Sequence, residues 1–444
     1  MDLPGTRYAP LLRGARLGSL AEAQRGRPSE SPPGSLCRRQ LLRKGLVGMG
    51  ILAVGPVFGG CTPGGGSNDS SEADASAASP AGGDVAASGI EQMSPLAAPD
   101  ANGLRLADGF TSRIVARSSQ RPVGASGYLW HAAPDGGATY ATSDGGWIYV
   151  SNSEISRNGG VGALRFAPDG TLVDAYPILA NTNRNCAGGP TPWQTWLSCE
   201  EVDRGRVFEC DPFGRDPAVH RPALGAFKHE AAAVDPVAQV VYLTEDETDG
   251  RLYRYLPDGT LGNGRPDLDS GALEVAEVTG GQTGSVVWHR VPDPSAATLA
   301  TRYQVPASTP FRGGEGIDHF DGVIYFATKG DDRVWAYDIA RSELELVYDR
   351  SGFSSPQLTG VDNVVVSPAG DVLVAEDGGD LEIVALTPSG AVVPVVQIVG
   401  HDRSEVTGPA FDPSGTRLYF SSQRGTTGRS PDGVTFEVSG PFLA

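Results

Sequence analysis

The feature that most constrains this chain is a six-residue unit that recurs after about residue 100. Trp196-Leu-Ser-Cys-Glu-Glu201 aligns with Val241-Tyr-Leu-Thr-Glu-Asp246 and Val372-Leu-Val-Ala-Glu-Asp377, and more loosely with Ile148-Tyr-Val-Ser-Asn-Ser153, Ile324-Tyr-Phe-Ala-Thr-Lys329 and Leu418-Tyr-Phe-Ser-Ser-Gln423. In each copy a β-branched or aromatic run passes through one small residue (Ser151, Cys199, Thr244, Ala327, Ala375, Ser421) into polar groups. That is the signature of a short strand ending at a polar rim. The rim residues Asn152, Glu200, Glu245, Thr328, Glu376 and Ser422 lie 48, 45, 83, 48 and 46 residues apart. A four-stranded propeller blade takes about 40–50 residues, so the spacing predicts an all-β, six-bladed β-propeller with an insertion within 251–309. A β-sandwich does not require so regular a period. Turns are expected at Pro134-Asp-Gly, Pro168-Asp-Gly, Pro257-Asp-Gly, Pro368-Ala-Gly, Pro388-Ser-Gly and Pro413-Ser-Gly.

The residues before the repeats read differently. Cys37-Arg-Arg-Gln-Leu-Leu-Arg43 followed by the apolar run from Leu46 to Phe58 has the form of a twin-arginine export signal, and that run is too short to span a bilayer as a helix. Phe58-Gly-Gly-Cys61 is similar to a lipobox, which makes Cys61 a candidate lipid anchor. Residues 1–61 are therefore read as signal, 62–100 as a disordered Gly/Ser/Ala linker, and 101–444 as the propeller. Export by this route delivers a folded protein to the periplasm, the cell exterior or a lipid-anchored position. The first 60 residues hold nine Lys/Arg against three Asp/Glu, so the formal charge of −18 falls to −24 without them. A surface this acidic disfavours nucleic acid and anionic membranes and suits cations. Cys186, Cys199 and Cys210 remain after the signal. Their odd number in an exported domain leaves at least one as a free thiol, a ligand or an intermolecular partner. A monomer is expected.

A second series of marked residues, Cys186, Glu230, Glu315, Asp362 and, in the last repeat, Pro409, precedes the rim by some 13–15 positions. In an antiparallel hairpin the start of one strand and the end of the next share an edge. Both series therefore converge on the central channel, bringing together Cys186, Glu200, Glu201, Glu230, Glu245, Asp246, Glu315, Asp362, Glu376 and Asp377, with Asn152 and Glu154 from the first repeat. One acid at a strand end is ordinarily a solvated turn residue, but recurrence at matched positions argues for a shared site. Like charges at close range raise one another's pKa or require cations. Oxygen donors suit Ca²⁺, and one thiolate among them suits a softer ion such as iron. No spacing of Cys or His supports structural zinc. Lys228, Arg312 and Arg424 are candidates for binding an anionic substrate beside such a cluster.

Six motifs in order, Asn185-Cys-Ala-Gly-Gly with Thr191-Pro-Trp and Cys199-Glu-Glu201, Lys228-His-Glu, Gly314-Glu-Gly316, Gly360-Val-Asp-Asn363, Ala375-Glu-Asp-Gly-Gly-Asp380 and Thr407-Gly-Pro-Ala-Phe411, resemble the PhoX family of secreted bacterial alkaline phosphatases. The resemblance covers nearly all of 103–444. It departs from the family at Asn152-Ser-Glu154, where Asn-His-Glu is expected, and at Gln194, where Gly is usual. It implies a twin-arginine-exported, six-bladed propeller holding Ca²⁺ and Fe³⁺. Cys186 corresponds to the iron-binding cysteine and Glu201, Glu230 and Glu376 to carboxylate ligands, with Asp362, Asp377 and Glu315 as further candidates. The implied reaction is hydrolysis of a small phosphate monoester. Calcium-dependent lactone or phosphotriester hydrolysis, which needs no thiolate, and a non-enzymatic envelope-binding propeller are the competing readings.

Overall fold

The structure, a computed structural model, describes residues 85–444. The export signal, Cys61 and the tether up to residue 84 lie outside the described residues. Six antiparallel hairpins, numbered here 1 to 6 in chain order, form the frame. They are Pro134–Ala141 with Trp147–Ser153, Asn185–Pro190 with Trp196–Glu200, His229–Val234 with Val241–Glu245, Gly314–Phe320 with Val323–Thr328, Val361–Val366 with Val372–Glu376, and Val406–Phe411 with Arg417–Ser422. The second strands are buried almost throughout, which is why they read as continuous apolar runs rather than as alternating ones.

The first strands of hairpins 1 to 6 pack side by side in chain order, and the sixth returns to the first. This closed ring gives the chain its propeller-like arrangement. Gly316 shows why the first strands are rich in small residues, since a Cβ there would overlap Val364 N and lie 2.6 Å from Asn363 Cα on the next first strand.

Outward of the ring, hydrogen bonding defines five sheets. The nine-stranded sheet contains both hairpins 3 and 4. It is continuous because strand Gly284–Arg290, from the expected insertion, pairs with Glu343–Asp349 at Gly284↔Leu344 and Ser285↔Glu343. Strand Thr111–Arg117 pairs with Val434–Ser439, so the N-terminal part of the domain completes the sheet of hairpin 6.

Four of the six expected Pro-x-Gly turns are turns. Pro257-Asp-Gly instead ends strand Leu252–Pro257 and runs on into pairing, with Asp258 N donating to Ser270 O and Thr260 bridging Pro266, and Pro134-Asp-Gly lies inside strand Pro134–Ala141. The turn of that hairpin is Ser143-Asp-Gly145 instead. The end of the expected linker also differs from its reading. Ser88 bridges Leu443, Gly89 N donates to Phe442 O, and Ile90 is fully buried beside Leu104 and Phe442. One apolar residue with a pocket to fill anchors a segment whose composition reads as disordered. Among the described residues no helix is long and apolar enough to cross a membrane.

Candidate metal centre

A bulge in the first strand of each of the first five hairpins creates the site. In hairpin 2, Asn185 pairs with Glu200 but Gly188 pairs with Ser198, leaving two residues opposite one. The same slip follows Pro134, His229, Gly314 and Val361. A bulge re-aims the side chain it displaces. The first displaced residues are Asp135, Cys186, Glu230, Glu315 and Asp362. Hairpin 6 slips between Thr407 and Ala410 and has Gly408 and Pro409 there. Its acid is Glu405, from the preceding loop.

The second strands contribute by alternation. Successive residues of an extended strand face opposite ways. Glu200, Glu245 and Glu376 are the last paired residues of their strands, and all three turn away from the cluster. Glu200 is bound bidentately by Arg206, with Nε to Oε2 at 2.7 Å and Nη2 to Oε1 at 2.8 Å. Glu245 accepts from Tyr253 Oη at 2.9 Å and Arg302 Nη1 at 3.1 Å, and Glu376 accepts from the Thr359 and Glu382 backbone amides. The residues that follow, Glu201, Asp246 and Asp377, face the cluster.

Four groups whose ligand atoms lie within 4.8 Å of one another result: Cys186, Glu201 and Glu230; Glu230, Glu315 and Asp362; Asp362, Asp377 and Glu405; and Asp135, Glu154 and Glu405. Shared members link them into one run of eight carboxylates and a thiol. Of the eleven residues expected to bind metal, seven meet here, while Glu200, Glu245, Glu376 and Asn152 do not. Asn152 instead holds the scaffold, donating to Ala187 O at 2.7 Å and accepting from Trp196 Nε1 and Ser198 Oγ at 2.9 Å each. Hairpin 1 pairs through Ser153, one residue later than the sequence alignment placed its rim. This puts Glu154 in register with Glu201.

Asp135 and Glu405 are the acids missed in the sequence. Asp135 has the sequence context of a turn residue, because Pro-Asp-Gly is strong turn chemistry. A second turn motif nine residues on, at Asp144-Gly145, was the signal that both could not be the turn of one hairpin. Glu405 lacks the strand context of the others, and nothing in its local pattern marks it.

Basic side chains meet the acids along this run. Lys228 Nζ lies 2.9 Å from Glu201 and 2.6 Å from Asp246; Lys329 Nζ lies 2.5 Å from Asp377 and 3.3 Å from Asp362. Arg424 contacts Glu405 at 2.6 Å and Arg184 contacts Glu154 at 3.3 Å. Arg312 is exposed and, among the described residues, has no ion-pair partner; its backbone adjoins that of Lys329 through the bond from Gly330 N to Arg312 O.

These cations do not neutralise the cluster. Burial, followed by neighbouring carboxylates, pushes Asp135, Glu230, Glu315 and Glu405 well above the ordinary carboxylate range. Burial raises Glu201 to about 7 against the opposing pull of Lys228, and Asp362 to about 6 against that of Lys329. Asp377 is half-buried, which raises it, but Lys329 prevails and holds it below its usual value. Burial and then four surrounding acids push the Cys186 thiol up. Two buried oxygens, Glu230 Oε1 and Glu315 Oε1, have no hydrogen-bond partner. An orphaned buried carboxylate oxygen is costly, and a cation bound between these side chains removes that cost. The donor set therefore fits hard ions along the carboxylates and a softer ion at Cys186.

Among the described residues Cys186, Cys199 and Cys210 are all free thiols, and the latter two are buried in apolar clusters. The departure at Gln194 is accommodated by strain: it has φ of 65°, in the left-handed region that favours glycine.

Comparison with known proteins points the same way. A family model described as alkaline phosphatase PhoX matches residues 111–206 and 202–354. Among solved structures, Pseudomonas fluorescens PhoX in complex with vanadate, a transition state analogue, superposes with a TM-score of 0.66 at 16% identity, covering 80% of this chain and 98% of that one. A gluconolactonase of Xanthomonas campestris has a TM-score of 0.45 at 14% identity, covering 79% of this chain and 98% of that one. No curated protein matches.

Proposed function

The chain belongs to the alkaline phosphatase PhoX family and is a phosphatase by class; from that premise we propose that it hydrolyses small phosphate monoesters outside the cytoplasm, using calcium and iron held in the channel of a six-bladed propeller. The observation that carries the metal assignment is the pair of orphaned buried oxygens on Glu230 and Glu315, within a run of acids that also takes in Cys186. Six blades are supported by the ring of six first strands, with the nine-stranded sheet counted as two blades joined only at Gly284↔Leu344 and Ser285↔Glu343.

Cys186, with Glu201 and Glu230, is assigned the iron. Glu315, Asp362, Asp377, Glu405, Asp135 and Glu154 are assigned calcium. When bound, these ions supply Lewis-acid stabilisation of charge on a transferring phosphoryl group. The chain's own contribution is placement. Bulged strands fix the acids, and Arg312, Lys228 and Arg424 are assigned to the phosphate oxygens, of which Arg312 alone has no acid to give up first. The vanadate complex of the Pseudomonas protein supports this reading. The signal at 1–61, the tether and an anchor at Cys61 supply the route out of the cytoplasm.

Elemental analysis of protein exported in a native host, with a phosphomonoesterase assay on the same sample, tests the proposal. Iron with calcium, and turnover abolished by chelation, is the expected result. Calcium alone without turnover sinks it. A Cys186→Ser variant that keeps full metal content and activity favours a calcium-only hydrolase.

A further inference from the structure

The insertion between hairpins 3 and 4 places one guanidinium on the acids of the rim, that of Arg302 in the short 3₁₀ turn Thr301–Tyr303. Its guanidinium spans three acids of a single loop, reaching Glu245 at 3.1 Å, Glu247 at 3.5 Å and Asp249 at 3.3 Å. Arg302 is mostly covered and Glu245 is fully buried. The turn is itself pinned, since Thr301 Oγ1 donates to Ala226 O at 2.9 Å.

The loop that Arg302 grips carries Asp246, whose Oδ2 accepts from Lys228 Nζ at 2.6 Å. The same ammonium lies 2.9 Å from Glu201, a member of the cysteine group. The equivalent carboxylates of hairpins 2 and 5 are held from closer in sequence: Glu200 by Arg206 six residues on, and Glu376 by the amides of Thr359 and Glu382. Only around Glu245 does the guanidinium come from 57 residues away.

We infer that Arg302 is a positioning residue for the phosphatase reaction: by holding the Glu245–Asp249 loop it sets Asp246, and through Asp246 the Lys228 ammonium that meets the phosphate. This rests on the phosphatase reading above. Removing a charged, nearly buried donor from one end of such a chain lets Asp246 move. The ammonium at the other end then takes more than one position, and a misplaced group weakens ground-state binding.

The test compares Arg302→Gln, Asp246→Asn and the double variant in metal-loaded protein. Steady-state kinetics with a phosphomonoester, calorimetric binding of inorganic phosphate, metal content and melting temperature are read for each. Arg302→Gln is expected to raise KM and weaken phosphate binding five- to tenfold, with kcat and metal content changed less than threefold. Arg302→Lys should recover part of the loss. The double variant should be no worse than Asp246→Asn alone, because residues acting through one another are not additive. A fall in melting temperature with unchanged KM and phosphate binding, or additive losses, overturns the inference. An inactive wild type whose phosphate binding still weakens with Arg302→Gln, and no further in the double variant than with Asp246→Asn alone, separates failure of the phosphatase reading from failure of this one.

Discussion

Glu200 and Glu201 are adjacent in the chain and belong to different systems. Glu200 is buried at 2% exposure and bound bidentately by Arg206, whereas Glu201 lies 2.9 Å from Lys228 and within the group that contains Cys186 and Glu230. Strand alternation separates them, and the same division separates Glu245 from Asp246 and Glu376 from Asp377. One carboxylate of each pair locks the rim and the other faces the site.

The pair yields opposite mutational signatures. Glu201→Gln is expected to lower bound metal and reduce turnover at least a hundredfold while leaving the fold intact. Glu200→Gln should retain metal but lose about 2 kcal/mol of stability, the scale of a charge-assisted hydrogen bond to a buried group whose partner is half exposed. Denaturant titration together with elemental analysis checks both, and equal metal loss in the two variants would refute the division.

The pH dependence of the metal-free protein follows from the raised carboxyls. Glu201 and Glu245 stand at about 7 in the fold and Asp362 at about 6, in each case chiefly through burial. In the unfolded chain the same groups titrate near 4. Between those values these groups hold more protons in the fold than in the unfolded chain, so their contribution to stability is fullest below about pH 4 and is lost as pH rises to about 7. Bound cations replace the protons on Glu201 and Asp362 but not on Glu245, so the loaded protein should show a smaller decline, and metal uptake at pH 6 should release protons. Melting curves with and without chelator from pH 5 to 8 decide the matter, and metal-free stability that rises over that interval sinks it.

The propeller was legible because six copies of one strand survive at near-constant spacing, and a buried strand leaves an apolar run that composition does not blur. The channel acids were legible only as a set. Sequence spacing identified which strand ends meet, but the choice between Glu200 and Glu201 depends on which residue is last in register. That register is set by the bulge after Asn185, which leaves no sequence mark. Asp135 was hidden by its own neighbours, since Pro and Gly on either side signal a turn, whereas here Gly136 lets the chain pass within reach of Ala187: a Cβ on it would lie 2.5 Å from Ala187 Cα. Glu405 sits in a loop and Ile90 in a stretch of small residues. What identifies both lies far away in sequence, the carboxylates of Asp135, Glu154 and Asp362 around the first and Phe442 beside the second.

Closure of the ring at Gly316 gives a packing prediction. Because a Cβ there meets backbone atoms of Asn363 and Val364 rather than a movable side chain, Gly316→Ala should cost about 2–3 kcal/mol. It should also widen the spacing between Glu315 and Asp362, so that metal affinity falls with stability. A variant as stable as wild type, with unchanged metal content, would show that the two strands are not in contact.

The N-terminal segment supplies the last expectation. Ser88 Oγ donates to Asp371 Oδ2 at 2.9 Å, Gly89 N donates to Phe442 O, and Ile90 fills a pocket among Leu104, Phe442 and their neighbours. Asp371 lies in the turn of hairpin 5, the end remote from Asp362 and Asp377, so this strap touches the domain away from the metal site. A chain that begins at residue 101 loses the Ile90 side chain and leaves Asp371 with one donor fewer. Burial of an isoleucine of this kind is worth about 3 kcal/mol, so the truncated protein should unfold at lower denaturant concentration than one beginning at residue 85. Kinetic constants and metal content should be unchanged, because among the described residues none before 101 contacts the acidic run. Equal stability of the two chains would return residues 85–100 to the role of tether, and a change in KM would mean that the strap reaches the channel.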